Sequence, residues 1–378
     1  MKHWKCVVTN ASLLLAGSVA LAQSTDQGQT VATPAQTAPA PLSLSLGPVD
    51  FSALADVYYG LNFNHPASQA NQLRAFDVNA SQFRLNMTKL TMEHSPDPVG
   101  FRVDAGYGRA FDIMHGSERG PGVFRYLPQA YVSLKPKSAR GLQVDFGKFS
   151  TAAGAEVIET NSNWNYSRSL LFAYAVPYYH FGLRATMPAG RHFTGGLQVI
   201  NGWNCVEDNN SGKTVAMVAT VATSKLTWTQ AYLTGPEKTD TNKGNRHLYD
   251  TTLVLTPGSK VNVYLNFDYG VDKKVDRGSM RWVGVAGAAR FAVTPWLAVS
   301  PRLEWFNDAD GFTTGTVQKV KEGTLTAEFK IRKWLLTRLE YRRDWSNALF
   351  FNRGADLAAS RGQTTLLAGL VAVLEPKR

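Results

Sequence analysis

Charged side chains recur at every second residue in two segments near the carboxyl end of this chain. Arg302 and Glu304 form one such pair, and Arg338, Glu340 and Arg342 form a longer run. Successive side chains of a β-strand point to opposite faces, so this spacing places all the charges of a segment on one face. Acids and bases interleaved on a wet face can line a water-filled space and steer ions, or they can pair across strands.

Catalytic chemistry has little support in the sequence. Gly-x-Ser-x-Gly, His-Glu-x-x-His, a P-loop and clustered Cys/His ligands are all missing. His180 and Ser300 could supply a hydrolase pair, but both are predicted to face inward on distant strands. We therefore predict no enzymatic activity, no metal and no cofactor.

The elements that would position the charges are strands with one apolar and one polar face. In the segment 261–269 every odd residue is apolar or aromatic, while Asn262, Asn266 and Asp268 lie on the other face. Similar segments recur about 16 times between residues 51 and 374, and no later run of about 18 apolar residues could form a spanning helix. The predicted fold is all-β: a transmembrane antiparallel up-and-down β-barrel.

The connections between the predicted strands alternate between short and long. The short ones have tight-turn compositions, as in Pro257-Gly258. Outer-membrane barrels have short periplasmic turns and longer external loops, and this chain places its longer connections after odd-numbered strands, as a chain starting in the periplasm requires. The longer connections are predicted at 109–128, 150–177, 204–212, 235–246, 271–279, 307–322 and 345–362.

The amino-terminal region has the pattern of a secretory signal peptide. Lys2 and Lys5 precede an apolar stretch, and a small-residue cleavage site ends at Ala22, before Gln23. This interpretation of residues 1–22 sends the mature chain to the cell outer membrane.

Two further regions follow the signal peptide. Residues 23–47 are rich in Pro, Ala, Thr and Gln, which predicts a disordered linker. Residues 48–378 show no break in composition, so we predict one barrel domain. Cys205 is the lone cysteine after cleavage, which rules out an internal disulfide in the mature chain.

Some segments carry a pattern more specific than alternation. They are Asp56–Pro66, Leu73–Asp77, Val99–Asp104, Gln129–Leu134 and the run from Gly141 to Arg184, which includes Phe146-Gly147-Lys148-Phe149 and Pro177–Arg184. These segments resemble the β-barrel porin-2, or OmpL-like, family of outer-membrane proteins. The resemblance is specific over roughly the first half of the mature chain. It implies an outer-membrane pore and supplies no catalytic residues.

The charges on the predicted inner faces are candidates for lining a pore. One interpretation is a basic-leaning lumen with a weak preference for anions, and the other is that the charges pair across strands and only solvate the interior. The candidates are Arg84, Arg102, Asp104, Arg184, Arg302, Glu304, Arg338 and Arg342.

The connection 150–177 contains a long apolar run, 170–176, and is therefore predicted to pack rather than extend into water. One interpretation is a constriction loop folded into the lumen, for which Glu156, Glu159 and Arg168 are the candidate residues. The other is a loop packed over the barrel mouth or at a contact between subunits.

Two functions fit this sequence. The first is an outer-membrane porin that passes small hydrophilic solutes or ions, and the second is a non-conducting barrel that displays its loops as a structural, adhesive or receptor surface. The partners expected are outer-membrane lipid, the barrel-assembly machinery and a homo-oligomer. The sequence pI of about 9.5 does not indicate nucleic-acid binding, because no basic cluster is interleaved with aromatic residues.

Overall fold

The computed structural model describes residues 44–119 and 122–375 of the 378-residue chain. The predicted signal peptide 1–22, with its cleavage site, lies outside the described residues. The predicted linker 23–47 is described only from residue 44, and there Leu44–Leu46 forms a short strand paired with the start of the first barrel strand. In this last stretch the chain departs from the predicted disorder, since Leu44, Ser45 and Leu46 lie opposite Phe51, Asp50 and Val49 in an antiparallel pair.

Sixteen strands form the barrel and are labelled in chain order. They are β1 (Val49–Asn62), β2 (Phe83–His94), β3 (Val99–Tyr107), β4 (Gln129–Leu134), β5 (Gln143–Ser150), β6 (Tyr179–Ala189), β7 (Phe193–Ile200), β8 (Thr214–Ala222), β9 (Leu226–Lys238), β10 (Thr241–Leu255), β11 (Val261–Lys273), β12 (Ser279–Ala292), β13 (Leu297–Asp308), β14 (Gln318–Arg332), β15 (Leu335–Ser346) and β16 (Gly362–Leu374).

Each strand pairs antiparallel with the next, and β16 pairs with β1 from Thr365 opposite Asn62 to Leu374 opposite Ala53. This last pairing closes the sheet, so the predicted up-and-down barrel of 16 strands is confirmed. None of the helices in the described ranges has both the length and the apolar character needed to cross a membrane.

The smaller elements all lie in the connections. They are the helices α1 (Arg109–Met114) and α2 (Leu170–Tyr174), the 3-10 turns Gly122–Tyr126 and Thr160–Ser162, and a hairpin of Phe351–Arg353 with Asp356–Ser360.

Side chains alternate between the two faces of the barrel wall as the sequence predicts. On β11, Leu265 points outward and is 54% exposed, whereas Asn266 points inward and is 4% exposed. The same alternation runs along β13, β14 and β15, with mostly apolar residues outside and mostly polar ones inside. On β12 and β16 the inward positions also include glycines and apolar residues such as Trp282 and Val371. The outer face is therefore suited to lipid, and the buried groups face the lumen.

The two ends of the barrel differ in their connections, but less regularly than predicted. The connections after even-numbered strands are short, as expected. After odd-numbered strands, the predicted loop 235–246 is wrong: β9 and β10 continue through it and pair as far as Lys238 opposite Thr241. The predicted loops 271–279 and 307–322 likewise shrink to 274–278 and 309–317. These strands extend beyond the lipid, where their outer faces are polar and the apolar alternation disappears.

The two faces of β11 should respond differently to a charge. Leu265→Lys should cost about 2–4 kcal/mol of folding free energy, because the ammonium would meet lipid near the middle of a strand. Asn266→Lys should cost less, since Asn266 lies beside the carboxylates of Asp250 and Asp268. Urea unfolding of the mature barrel in liposomes measures both values, and equal losses would contradict the assignment of the faces.

Candidate functional site in the barrel lumen

The connection between β5 and β6, residues 151–178, folds into the barrel; we name it the lumen loop. Its apolar run forms α2, which begins after Ser169, whose side chain accepts a hydrogen bond from the Phe172 backbone N–H at 2.9 Å. All residues of 170–176 are buried. Phe172 packs edge-on against Phe76 of the β1–β2 connection, with ring centroids 5.5 Å apart. The structure therefore places this loop inside the barrel rather than over its mouth.

Arg302 on β13 holds the lumen loop through both charge and backbone contacts. Its guanidinium donates to Glu156 Oε1 at 2.7 Å and to the Ser167 carbonyl oxygen at 2.7 Å. Glu304, two residues along, accepts from the Leu170 backbone N–H at 2.6 Å. The side chain of Arg302 is completely buried, so these contacts occur away from water.

The charges of β15 make equivalent contacts with the loop backbone. Arg338 donates to the Thr160 carbonyl at 2.5 Å, and Glu340 accepts from the Tyr166 backbone N–H at 2.6 Å. Arg342 donates to the Arg168 carbonyl at 2.5 Å. The alternating charges of this strand thus satisfy backbone groups that would otherwise be buried without partners.

The loop also reaches the wall at β1 and β2. The Tyr166 hydroxyl donates to Asp56 Oδ1 at 2.6 Å, and Glu159 contacts the Lys89 ammonium. Lys89 is also 3.0 Å from Asp104 Oδ2. Burial, followed by the nearby Asp56 carboxylate, raises the pKa of Tyr166, so its hydroxyl remains a donor.

Glu159 remains charged at this contact. Burial alone would raise the pKa of Glu159, but the Lys89 ammonium outweighs it and holds the pKa below its ordinary value. The tie between the loop and β2 is therefore an ion pair at neutral pH.

Glycines on the inner wall provide the space that the loop occupies. A Cβ on Gly369 of β16 would lie 2.3 Å from the Tyr166 ring, and one on Gly284 of β12 would lie 2.6 Å from Leu171 Cδ1. Trp282, also on β12, donates its indole N–H to the Ala175 carbonyl at 3.0 Å. Wall and loop therefore have complementary shapes as well as complementary charges.

The three loop residues singled out from the sequence have different environments. Glu156 contacts Arg302 on one wall, and Glu159 contacts Lys89 on another. Arg168 reaches neither wall with its guanidinium: it donates to the Val157 and Ile158 carbonyls within its own loop. Its geometry is that of an internal brace.

The eight wall candidates also divide into groups. Arg302, Glu304, Arg338 and Arg342 are buried beneath the lumen loop. The candidates Arg102, Asp104 and Arg184 belong to β3 and β6, on the other side of the lumen. Each arginine there has a carboxylate partner: Arg102 is 3.0 Å from Asp104, and Arg184 is 2.7 Å from Asp145. Arg84 lies opposite Tyr58 at the end of β2 and is exposed.

These pairings bear on the two interpretations of the interleaved charges. Arg338 is 2.6 Å from Glu328 on the neighbouring strand, and Arg302 is 3.3 Å from Glu322. The geometry is that of charges paired across strands, not of a basic surface open to water.

The connection between β1 and β2 is a second contributor, which was not among the site residues predicted from the sequence. Its Arg74 lies 2.6 Å from Asp344 of β15 and 3.0 Å from Asp77, and all three are buried. The available signal was the apolar pair Leu73 and Phe76 next to these charges, a composition that also indicates a packed loop.

A cavity of about 140 Å³ adjoins the lumen loop. It is lined by Lys89, Arg102 and Glu159, together with Ser52 of β1 and Glu375 beyond β16. The last two residues place the cavity toward the end of the barrel that carries the short turns.

A known family shares these features. The family described as "Putative beta-barrel porin-2, OmpL-like" matches residues 48–374, which is nearly the whole described barrel. The chain belongs to this family. Its family and its closed 16-strand barrel support an outer-membrane porin. A search of the curated proteins finds no match.

Solved porins share the fold of this porin at low sequence identity. OprB of Pseudomonas putida is 10% identical with a TM-score of 0.59, covering 86% of this chain and 94% of its own. The anion-selective porin from Comamonas acidovorans is 11% identical with a TM-score of 0.58, covering 86% and 99%. The trimer form of in-vitro folded OmpT from Vibrio cholerae is 11% identical with a TM-score of 0.54, covering 86% and 98%. At these identities the likeness shows the fold alone.

The fit between wall and loop can be tested at Gly369. Gly369→Ala should displace the Tyr166 ring, break its bond to Asp56 and cost about 1–3 kcal/mol of folding free energy through overpacking. Gly196→Ala is the matched control on the inner wall, because its Cβ would have no neighbour closer than 3.6 Å. Urea unfolding measures both costs, and similar values would mean that the loop does not occupy this position.

Proposed function

We propose that this porin lets small hydrophilic solutes or ions diffuse passively through a narrow polar passage along the β2–β6 wall. The observation that carries this proposal is the asymmetry of burial in the lumen. The side chains of Arg102, Arg184 and Glu159 remain 19%, 12% and 23% exposed. Those of Arg302 and Arg338 on the opposite wall have no exposed area.

We further propose that charge selectivity is weak. Arg102 and Arg184, which face the passage, are balanced by the partly exposed Glu159 and Glu93. An ion in the passage would therefore meet both positive and negative side chains. Without a surplus of positive charge, the passage should not show the anion preference that the sequence suggested.

The dense filling of the lumen favours a second candidate, a non-conducting barrel that displays its outer loops. The whole apolar run 170–176 is buried inside the barrel, and the cavity beside Lys89 and Glu159 measures about 140 Å³. This candidate predicts no conductance from the intact protein, so one experiment separates the two.

Planar-bilayer recording of the refolded mature chain is that experiment. We expect stable single channels with a reversal potential near zero in a salt gradient. Replacing residues 155–174 by a short Gly/Ser linker should raise the conductance by about two-fold or more, because the narrowest section controls flow. No channels at any voltage from the intact protein, with channels from the shortened variant, would establish the non-conducting barrel instead.

We also propose that the porin forms a homo-oligomer through the wall around β4. This strand has six residues, whereas a tilted strand needs about 9–11 to cross the hydrocarbon layer. Its outward Val132 and Leu134 are each 50% exposed and lie beside the outward Phe146 of β5. A second copy would cover this low wall more completely than lipid. Outer-membrane lipid and the barrel-assembly machinery are the other proposed partners.

The oligomer can be tested by native mass spectrometry in detergent. We expect the mass of several chains, and Val132→Arg on β4 should shift the protein to monomers because it places a charge in the contact. Leu339→Arg on β15 is the control, since Leu339 is also 50% exposed but lies on a full-length wall. A wild-type mass of one chain, or equal dissociation by both variants, would contradict the proposal.

A further inference from the structure

The outer surface of β14 and β15 carries basic side chains near the end of the barrel that bears the longer loops. Lys319 and Lys321 both point outward from β14 and are exposed, while Val320 and Glu322 beside them are buried on the lumen side. Arg343 points outward from β15, diagonally next to Lys321. We name Lys319, Lys321 and Arg343 the rim cluster.

The register fixes the depth of the rim cluster relative to the membrane. Lys321 lies directly opposite Trp305 of β13 and Trp345 of β15. Outward tryptophans of a barrel mark the boundary between hydrocarbon and headgroups. Lys321 is therefore at that boundary, and Lys319 is one outward position further from the hydrocarbon, at the depth of the headgroups.

Arg343 is held at the same boundary by its neighbours. Its guanidinium lies 5.5 Å from the Trp345 ring centroid and donates to Thr364 Oγ1 at 2.5 Å. These two contacts leave other N–H groups of the Arg343 guanidinium without a partner on the protein. The planar guanidinium can donate two parallel hydrogen bonds to the oxygens of a phosphate.

Three other basic residues toward this end of the barrel pair with carboxylates of the protein. Lys213 pairs with Asp208, Lys238 lies 3.0 Å from Asp272, and Arg281 lies 3.7 Å from Asp310.

The rim cluster differs from these residues. Within the described ranges, its members form no salt bridge, and the outward positions of β13 to β16 hold no carboxylate. The negative charge that balances the cluster must come from outside the chain.

We propose that the rim cluster binds the phosphate groups of a phosphorylated glycolipid in the outer leaflet of the outer membrane. The cluster faces lipid rather than the lumen, so a solute in transit does not reach it. Lys319 and Lys321 supply compact charges at headgroup depth, Arg343 supplies a directed fork, and the two tryptophans pack on the adjoining acyl chains. The site is independent of whether the lumen conducts.

The test uses folded wild-type barrel in detergent, titrated with a purified diphosphorylated glucosamine-disaccharide lipid and followed by native mass spectrometry. The double substitution Lys319→Gln/Lys321→Gln should weaken binding roughly 30-fold, from the typical contribution of two basic residues at a membrane surface. Lys330→Gln/Lys333→Gln, at the other end of the same strand and in the turn after it, is the matched control and should change affinity less than about two-fold.

Two further measurements keep the proposal falsifiable. Lys321→Arg retains the charge and should bind like the wild type, even if the double variant folds poorly. The monophosphorylated lipid and phosphatidylglycerol should both bind more weakly than the diphosphorylated lipid. Equal binding of phosphatidylglycerol, or unchanged affinity in the folded Lys319→Gln/Lys321→Gln barrel, would overturn the proposal.

Discussion

A chain segment that enters the interior of a barrel must find partners for its backbone N–H and C=O groups, and the rest of this structure depends on that constraint. Each such group left buried without a partner would cost about 1–3 kcal/mol. In the lumen loop the partners come from the wall. Arg338 donates to the carbonyls of Thr160, Asn163 and Asn165, and Glu340 accepts from two successive backbone N–H groups.

This constraint gives the interleaved charges of β13 to β15 a structural role. A charge that serves the loop backbone must itself be balanced, and here the balancing group lies on an adjacent strand, as Glu328 does for Arg338. A buried ion pair of this kind contributes more to fixing one arrangement than to net stability, whereas removing one partner is strongly destabilising. The wall on this side therefore holds the loop, and the proposed passage lies along the wall of β2 to β6.

The strand number and the orientation of each strand could be predicted because they depend on a local period of two. Leu265 and Asn266 show it: adjacent residues of opposite polarity occupy opposite faces. The ends of the strands are harder to predict, because above the lipid both faces become polar. The segment 235–246 therefore has the composition of a loop, although β9 and β10 run through it. The limits of the pattern are thus set by the membrane itself.

The candidate site was only partly predictable. The apolar run 170–176 showed that the connection packs, but the sequence left two places for it. The contact of Tyr166 with Asp56 joins residues 110 positions apart, and Gly369 matters only because of the ring beside it. Neither has a local signature, because both arise from the shape of the assembled wall.

The central claim is that the wall fixes the lumen loop by satisfying its backbone. Hydrogen–deuterium exchange of the folded barrel, read by mass spectrometry, tests it most directly. The account predicts that the amides of Tyr166, Ser167 and Leu170 are protected to the level of the β13 and β15 strands, because Glu340 and Glu304 accept from them. Exchange as fast as in the exposed connection 274–278 would contradict it.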